Sequence, residues 1–299
     1  MKAFAYQVEN DTPRIGIEIE SGTYNFTQIW DYFKELKSFP KAPDLNFLQI
    51  MIELGYFSSQ DIGQVIDTVK DMRGIDDIKI SRAVSYDVPI ARPQKILCIG
   101  RNYQAHADEW NSKVPEKPLF FSKLPSSLLA HDKRILVPPD VGRVDHEVEL
   151  AVVIGKTASM VDESEAMSCV PGYTVAIDVT ARDMQQDDIK NGRPWTLAKG
   201  MDTFCPIGPF LVPADAIDDP HDLDLQLKVN GQVRQNDNTG QMIFKIPRLI
   251  SYISQYVTFI PGDILLTGTP EGTLPLQPGD TIEASISHIG TLRVHVDRM

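Results

Sequence analysis

Along this chain the spacing of apolar residues is mostly helical up to residue 90 and mostly strand-like beyond it. The early segment "RIGIEIESGTYNF" alternates like a hairpin turning at Ser21-Gly22. Helical stripes follow. Phe26, Ile29, Trp30, Phe33 and Leu36 form one, and Phe47, Leu48, Met51 and Leu54 a second that Gly55 closes. Ile62, Val65, Ile66 and Val69 form a third, with Ser58 or Ser59 as its cap and an end near Gly74. "DVPIARPQ" places Pro89 and Pro93 in a stretch that disfavours helix and suits an extended connector. Short strands dominate afterwards: "KILCIG", "EVELAVVIG", "GYTVAIDVT", "LDLQLKVNGQVRQ", "GDILLTG", "DTIEASIS" and "TLRVHV". Asn230-Gly231 marks a two-residue hairpin. Helices are expected from about Ala181 to Lys190 and from Pro247 to about Val257. The pattern predicts an α+β, β-rich chain: a small α+β domain over residues 1–90 and a β-rich sandwich or roll over 91–299.

Composition narrows the class. A chain of 299 residues with 42% hydrophobic and 23% charged residues suits one large globular domain or two unequal ones. No apolar run approaches membrane-spanning length, and "MKAFAYQVEN" lacks the apolar core of a secretory signal, so a cytoplasmic setting is expected. The net charge of −12 argues against nucleic acid or anionic membrane as a partner. It also makes a small anionic substrate depend on a local basic pocket. Cys98, Cys169 and Cys205 form no CxxC pair and read as buried free thiols.

One strand carries a chemical anomaly. In "VDHEVELAVVIG" one face is apolar, with Val148, Leu150, Val152 and Ile154, while the other opens on Glu147 and Glu149. At the strand rise these carboxylates lie about 7 Å apart along one face. Asp178 repeats the anomaly at the end of "GYTVAIDVT". Three carboxylates without cysteine suit a hard divalent cation, Mg²⁺ or Mn²⁺, with Ca²⁺ also admissible. Alternation turns His146 to the opposite face and excludes it as a ligand. The rival reading is three solvated edge acids.

Six stretches, "KILCIGRNYQAHADEW", "VDHEVELAVVIGK", "GYTVAIDVTARDMQ", "GRPWTLAKGMDTFCPIGPF", "LKVNGQVRQNDNT" and "GDILLTGTPEG", resemble the fumarylacetoacetate hydrolase family. They are most similar to its bacterial acylpyruvase, oxaloacetate decarboxylase and hydroxyheptadienedioate isomerase-type members. The resemblance covers residues 91–299 and implies a β-roll fold, a metal held by Glu147, Glu149 and Asp178, a 2-oxo acid substrate and a homodimer. It places a lid pair at His106 and Glu109, a catalytic lysine at Lys199, and substrate contacts at Arg182, Gln185 and Thr269. A looser match at "FSKLPSS" leaves the role of Lys123 open.

A divalent cation acting as a Lewis acid would stabilise the enolate formed when the bond next to a 2-oxo acid breaks. Glu109, three residues from His106 on a helical turn, would orient the imidazole to take a proton from water. Arg182 and Gln185 share one helix face in the same way, and Thr180 is expected to cap that helix. The expected activity is metal-dependent cleavage of a C–C bond in acylpyruvate-type diketo acids. Oxaloacetate decarboxylation, or decarboxylation and isomerisation of 2-hydroxyhepta-2,4-diene-1,7-dioate, uses the same cation without needing the activated water. A protein that binds a chelated 2-oxo acid without turnover is the alternative outside enzymology, and the intact His-Glu pair counts against it.

Overall fold

The computed structural model describes residues 1–7, 13–37, 48–81 and 83–299. The early hairpin pairs the strands Arg14–Ile19 and Gly22–Asn25 with Ile19 opposite Gly22, so its turn is Glu20-Ser21 rather than Ser21-Gly22. Gly22 enters the ladder at φ +139, where a Cβ would lie 2.6 Å from the Lys79 side chain. The helix Phe26–Leu36 is capped by the Asn25 side chain and buries Phe26, Ile29 and Trp30. The helix Ser59–Arg73 is capped by Ser58, whose hydroxyl accepts from Asp61 N, and it ends at Gly74. Between them the helix Leu48–Glu53 buries Leu48, Met51 and Ile52. Leu54 lies beyond that helix and is exposed, and Phe47 of the expected stripe lies outside the described residues.

Among the described residues the largest sheet has ten strands. The strand Lys2–Gln7 pairs antiparallel with Phe210–Pro213 and so joins the early hairpin to the rest of the sheet. The order then runs through Gly172–Ile177, Val148–Val153, Ile264–Leu266, Ile96–Gly100 and Leu119–Lys123. A second sheet of five strands contains the hairpin Asp224–Val229 and Gln232–Asn238. Its turn residues Asn230 and Gly231 both take positive φ, as a type I′ turn requires. The helix Ile246–Ser254, with Pro247 in its first turn, packs Leu249, Ile250 and Ile253 into the same core.

The strand Val148–Val153 divides two cores by strand alternation. Val148, Leu150 and Val152 join the core lined by Leu225, Leu227, Ile282 and Ala284 of the five-stranded sheet. Ala151 and Val153 join the opposite core with Ala3, Ile17, Ile62 and Ile66. Glu147 and Glu149 belong to that second face, so the acids sit where an apolar surface ends. Among the described residues no helix is long and apolar enough to cross a membrane.

Candidate active site

Sheet register brings the three acids together. Val148 pairs with Ile177 and Glu149 with Ala176, so the next pair outward is Glu147 with Asp178. The backbone confirms it, because Asp178 N donates to Glu147 O at 2.8 Å. Opposite and diagonal neighbours on one sheet face converge. One carboxylate oxygen from each of Glu147, Glu149 and Asp178 lies within 4.8 Å of the others, and all three residues are buried.

Cations from other elements surround the trio. Lys199, on the short helix Thr196–Gly200, places Nζ 2.8 Å from both Glu147 Oε2 and Asp178 Oδ2. Lys123, at the end of its strand and only 1% exposed, lies 2.7 Å from Asp178 Oδ1 and also donates to the Val179 and Lys199 carbonyls. Arg182, at the start of the helix Arg182–Lys190, donates to Glu147, to Asp145 Oδ2 at 2.8 Å and to Gln185 Oε1 at 2.7 Å. The Trp110 ring covers the same guanidinium at 4.5 Å. Arg182 is thus already committed to carboxylates, whereas the Gln185 amide nitrogen has no partner among the described residues.

The two glutamates diverge electrostatically. Burial pushes the Glu147 carboxyl up, but Lys199 and Arg182 outweigh burial and hold it well below the usual carboxylate range. Glu149 moves well above that range, because burial is reinforced by Asp178 and Glu147. Its hydrogen bond from Gly268 N, at 2.6 Å, only partly opposes this. Gly268 allows this approach: it sits at φ +100, and a Cβ there would lie 2.7 Å from Asn102 Cβ. Oxygen donors of this kind, with one carboxylate short of positive partners, fit a hard dication. Glu147, Glu149 and Asp178 are the residues that would hold it.

His106 and Glu109 lie on the helix Gln104–Glu109, with Nδ1 to Oε2 at 3.2 Å. A carboxylate only accepts, so Nδ1 carries a proton, which in the neutral imidazole leaves the lone pair on Nε2. Glu109 also accepts from Gly272 N and Thr273 Oγ1, both at 3.1 Å, which ties this helix to the loop after Thr269. Thr269 itself is set by Gln235. The Gln235 oxygen accepts from Val148 N at 3.0 Å and from His146 Nδ1 at 3.1 Å. Its nitrogen donates to Pro270 O and Thr269 Oγ1, both at 2.9 Å. An amide nitrogen cannot accept, so the Thr269 hydroxyl proton remains available to a ligand. His106, the acid trio, Arg182, Gln185, Lys199 and Thr269 all line one cavity of about 250 Å³.

Sequence reasoning missed several neighbours. Asp145 is fully buried between Arg143 and Arg182, and its signal was present as the first acid of a D-x-E-x-E alternation. Gln235 comes from a distant strand and left no local signal, whereas Lys123, whose role the looser match left open, is buried against Asp178. Thr180 does not cap its helix: it pairs with Asp145 in a short ladder, and its hydroxyl donates to the Asp178 carbonyl at 2.9 Å. His146 turns to Gln235, away from the trio. All three cysteines are free and buried, and burial pushes the Cys205 thiol up to about 12 and Cys98 well above its usual value.

This chain belongs to the fumarylacetoacetate hydrolase family, since residues 95–297 match the family model for the fumarylacetoacetate (FAA) hydrolase C-terminal region. Members of the family are enzymes that typically use divalent metals, and their names include hydrolases, isomerases and tautomerases. The chain is 39% identical over 292 residues to the mitochondrial oxaloacetate tautomerase fahd2 of Xenopus laevis, covering 95% of this chain and 86% of that one. The fumarylacetoacetate hydrolase of psychrophilic Exiguobacterium antarcticum superposes over the full length of both chains, with a TM-score of 0.79 and 28% identity. A 5-carboxymethyl-2-hydroxymuconate delta-isomerase from Mycobacterium smegmatis is 41% identical with a TM-score of 0.65, covering 72% of this chain and 81% of that one.

Proposed function

We propose that this enzyme hydrolyses a C–C bond in acylpyruvate-type diketo acids such as fumarylpyruvate, using Mg²⁺ or Mn²⁺ held by Glu147, Glu149 and Asp178. The observation that carries the reading is the meeting of that trio with an oriented His106–Glu109 pair in one cavity. A divalent cation there supplies a Lewis acid for the 2-oxo acid and offsets the buried carboxylates. His106 Nε2 removes a proton from water, which adds to the distal carbonyl. The C–C bond then breaks, leaving its electron pair in the enolate of the 2-oxo acid, and that carbon takes up a proton. The products are a carboxylate and a 2-oxo acid. Lys199, the Gln185 amide and the Thr269 hydroxyl donate to the anionic end of the substrate. The acting species is proposed to be a homodimer in the cytoplasm, with no nucleic acid or membrane partner.

A second reading is oxaloacetate decarboxylation or isomerisation of a related dioate; the Xenopus laevis relative is named an oxaloacetate tautomerase. It uses the same cavity without an added water: isomerisation or tautomerisation moves a proton on the substrate, and decarboxylation breaks a C–C bond, releasing CO₂ and leaving an enolate that takes up a proton. Assays of the purified protein with acylpyruvates and with oxaloacetate, each with and without EDTA, test both. Replacing His106 by Ala should lower acylpyruvate cleavage by about 10²- to 10⁴-fold, the usual worth of a general base. Turnover that survives chelation overturns the metal-dependent reading. Equal rates for wild type and H106A remove the base from it.

A further inference from the structure

The cavity's cations are not equivalent. Lys199 and Arg182 are both ion-paired to the acids beneath them. Arg101 lines the same cavity and has no ion pair or hydrogen bond from its side chain among the described residues. A partly buried arginine in a strongly acidic protein is surrounded by candidate partners, so its lack of one is informative.

The backbone that presents Arg101 is held on purpose. Arg101 sits at φ +60, a left-handed conformation that side-chain-bearing residues rarely adopt. Its neighbour Asn102 is fully buried and locks the turn. The Asn102 amide donates to Thr267 O at 2.8 Å and Phe244 O at 3.0 Å, while its side-chain oxygen accepts from Phe244 N at 2.8 Å. Those bonds fasten the Arg101 turn to the segment that carries Thr269, whose hydroxyl proton is free for an acceptor. Strained backbone over-determined by its surroundings is a recurrent feature of ligand clamps.

We propose that Arg101 binds a second, terminal carboxylate of the substrate, so that the enzyme selects dicarboxylic 2-oxo acids over monocarboxylic ones. The inference rests on the reading of the site as a 2-oxo acid site and names the residue that reads the far end. The planar fork of arginine suits a carboxylate better than the point charge of lysine does. A cavity of about 250 Å³ suits a small acid of this kind.

Calorimetric titration of the Mg²⁺-loaded protein with 2-oxoglutarate and with 2-oxopentanoate isolates the terminal carboxylate, because the two share a carbon skeleton. Wild type should bind the diacid about 10- to 100-fold more tightly, the range for one charge-assisted contact. Arg101→Gln should bring the two affinities together without changing that for 2-oxopentanoate, and Arg101→Lys should restore part of the difference. Equal affinities in wild type, or a preference that persists in both variants, overturns the proposal. A preference that depends on Arg101 in a protein that cleaves no diketo acid would sink the hydrolytic reading alone. Cleavage of diketo acids without any diacid preference would sink the role of Arg101 alone.

Discussion

At the floor of the cavity Glu147 and Asp178 are buried and gripped by cations from other elements, with Asp145 buried behind Arg182, whereas the His106–Glu109 pair rests on a six-residue helix. The floor is built from central strands whose register leaves no freedom: once Val148 faces Ile177, Glu147 must face Asp178. That helix is held to the loop around Thr273 by a few hydrogen bonds: Glu109 accepts from Gly272 N and Thr273 Oγ1, and Trp110 Nε1 donates to Thr273 Oγ1. The contrast teaches a division of labour. On the proposed reading, the floor concentrates charge for a cation, while the His106–Glu109 pair supplies the base.

Glu149→Gln tests the floor with the largest expected effect. It keeps the shape and removes one negative ligand, so Mn²⁺ affinity should fall by more than about 100-fold, beyond what supporting residues of metal sites usually cost. Calorimetry showing unchanged Mn²⁺ affinity would erase the distinction between floor and lid.

Lys123→Met sharpens the same contrast. It leaves part of the Asp178 charge buried without its partner, and breaking such a pair costs about 3–5 kcal/mol. Chemical denaturation of the metal-free protein should show most of that loss, and saturating Mn²⁺ should recover a good part of it. A variant as stable as wild type without metal would mean that Lys199 alone satisfies Asp178.

The smallest expected effect lies in the lid. Burial pushes Glu109 up, but hydrogen bonds from His106, Gly272 and Thr273 outweigh it and hold the carboxyl below its ordinary value. A depressed folded value stabilises above the unfolded carboxyl value, about 4.3, and that contribution is lost as pH falls through the folded one. Trp110 fluorescence, read with Trp30 and Trp195 replaced by Phe, should therefore stay flat from about pH 8 to 5 and change only in stronger acid. A midpoint above about pH 5 would show that the latch does not depend on ionised Glu109.

How much of this was legible in the sequence follows from the range of the interactions. Glu147, Glu149 and Asp178 stood out because a strand period of two exposes an acid on an otherwise apolar strand. His106 with Glu109 and Arg182 with Gln185 were named by the family resemblance, and the three-residue spacing then put each pair on one helix face. The strand set was readable from alternation and turn residues. Gln235 was not, and the roles of Lys123 and Asp145 were not, because a contact with a residue far away in the chain decides each of them: Thr269, Asp178 and Arg182. The pairing of Lys2–Gln7 with Phe210–Pro213 likewise leaves no local trace. Thr180 misled because a residue before a helix usually caps it, whereas here the ladder with Asp145 holds Thr180 and sends its hydroxyl to Asp178. Arg182, which the resemblance places as a substrate contact, lines the cavity while its guanidinium is also engaged by Asp145 and Glu147.

The most direct measurement is anomalous diffraction from crystals of this protein soaked in Mn²⁺ and oxalate. The expected result is a single strong peak among Glu147, Glu149 and Asp178, with oxalate beside it and His106 on the cavity side. Density for oxalate elsewhere, or no manganese peak among those three acids, would contradict the account.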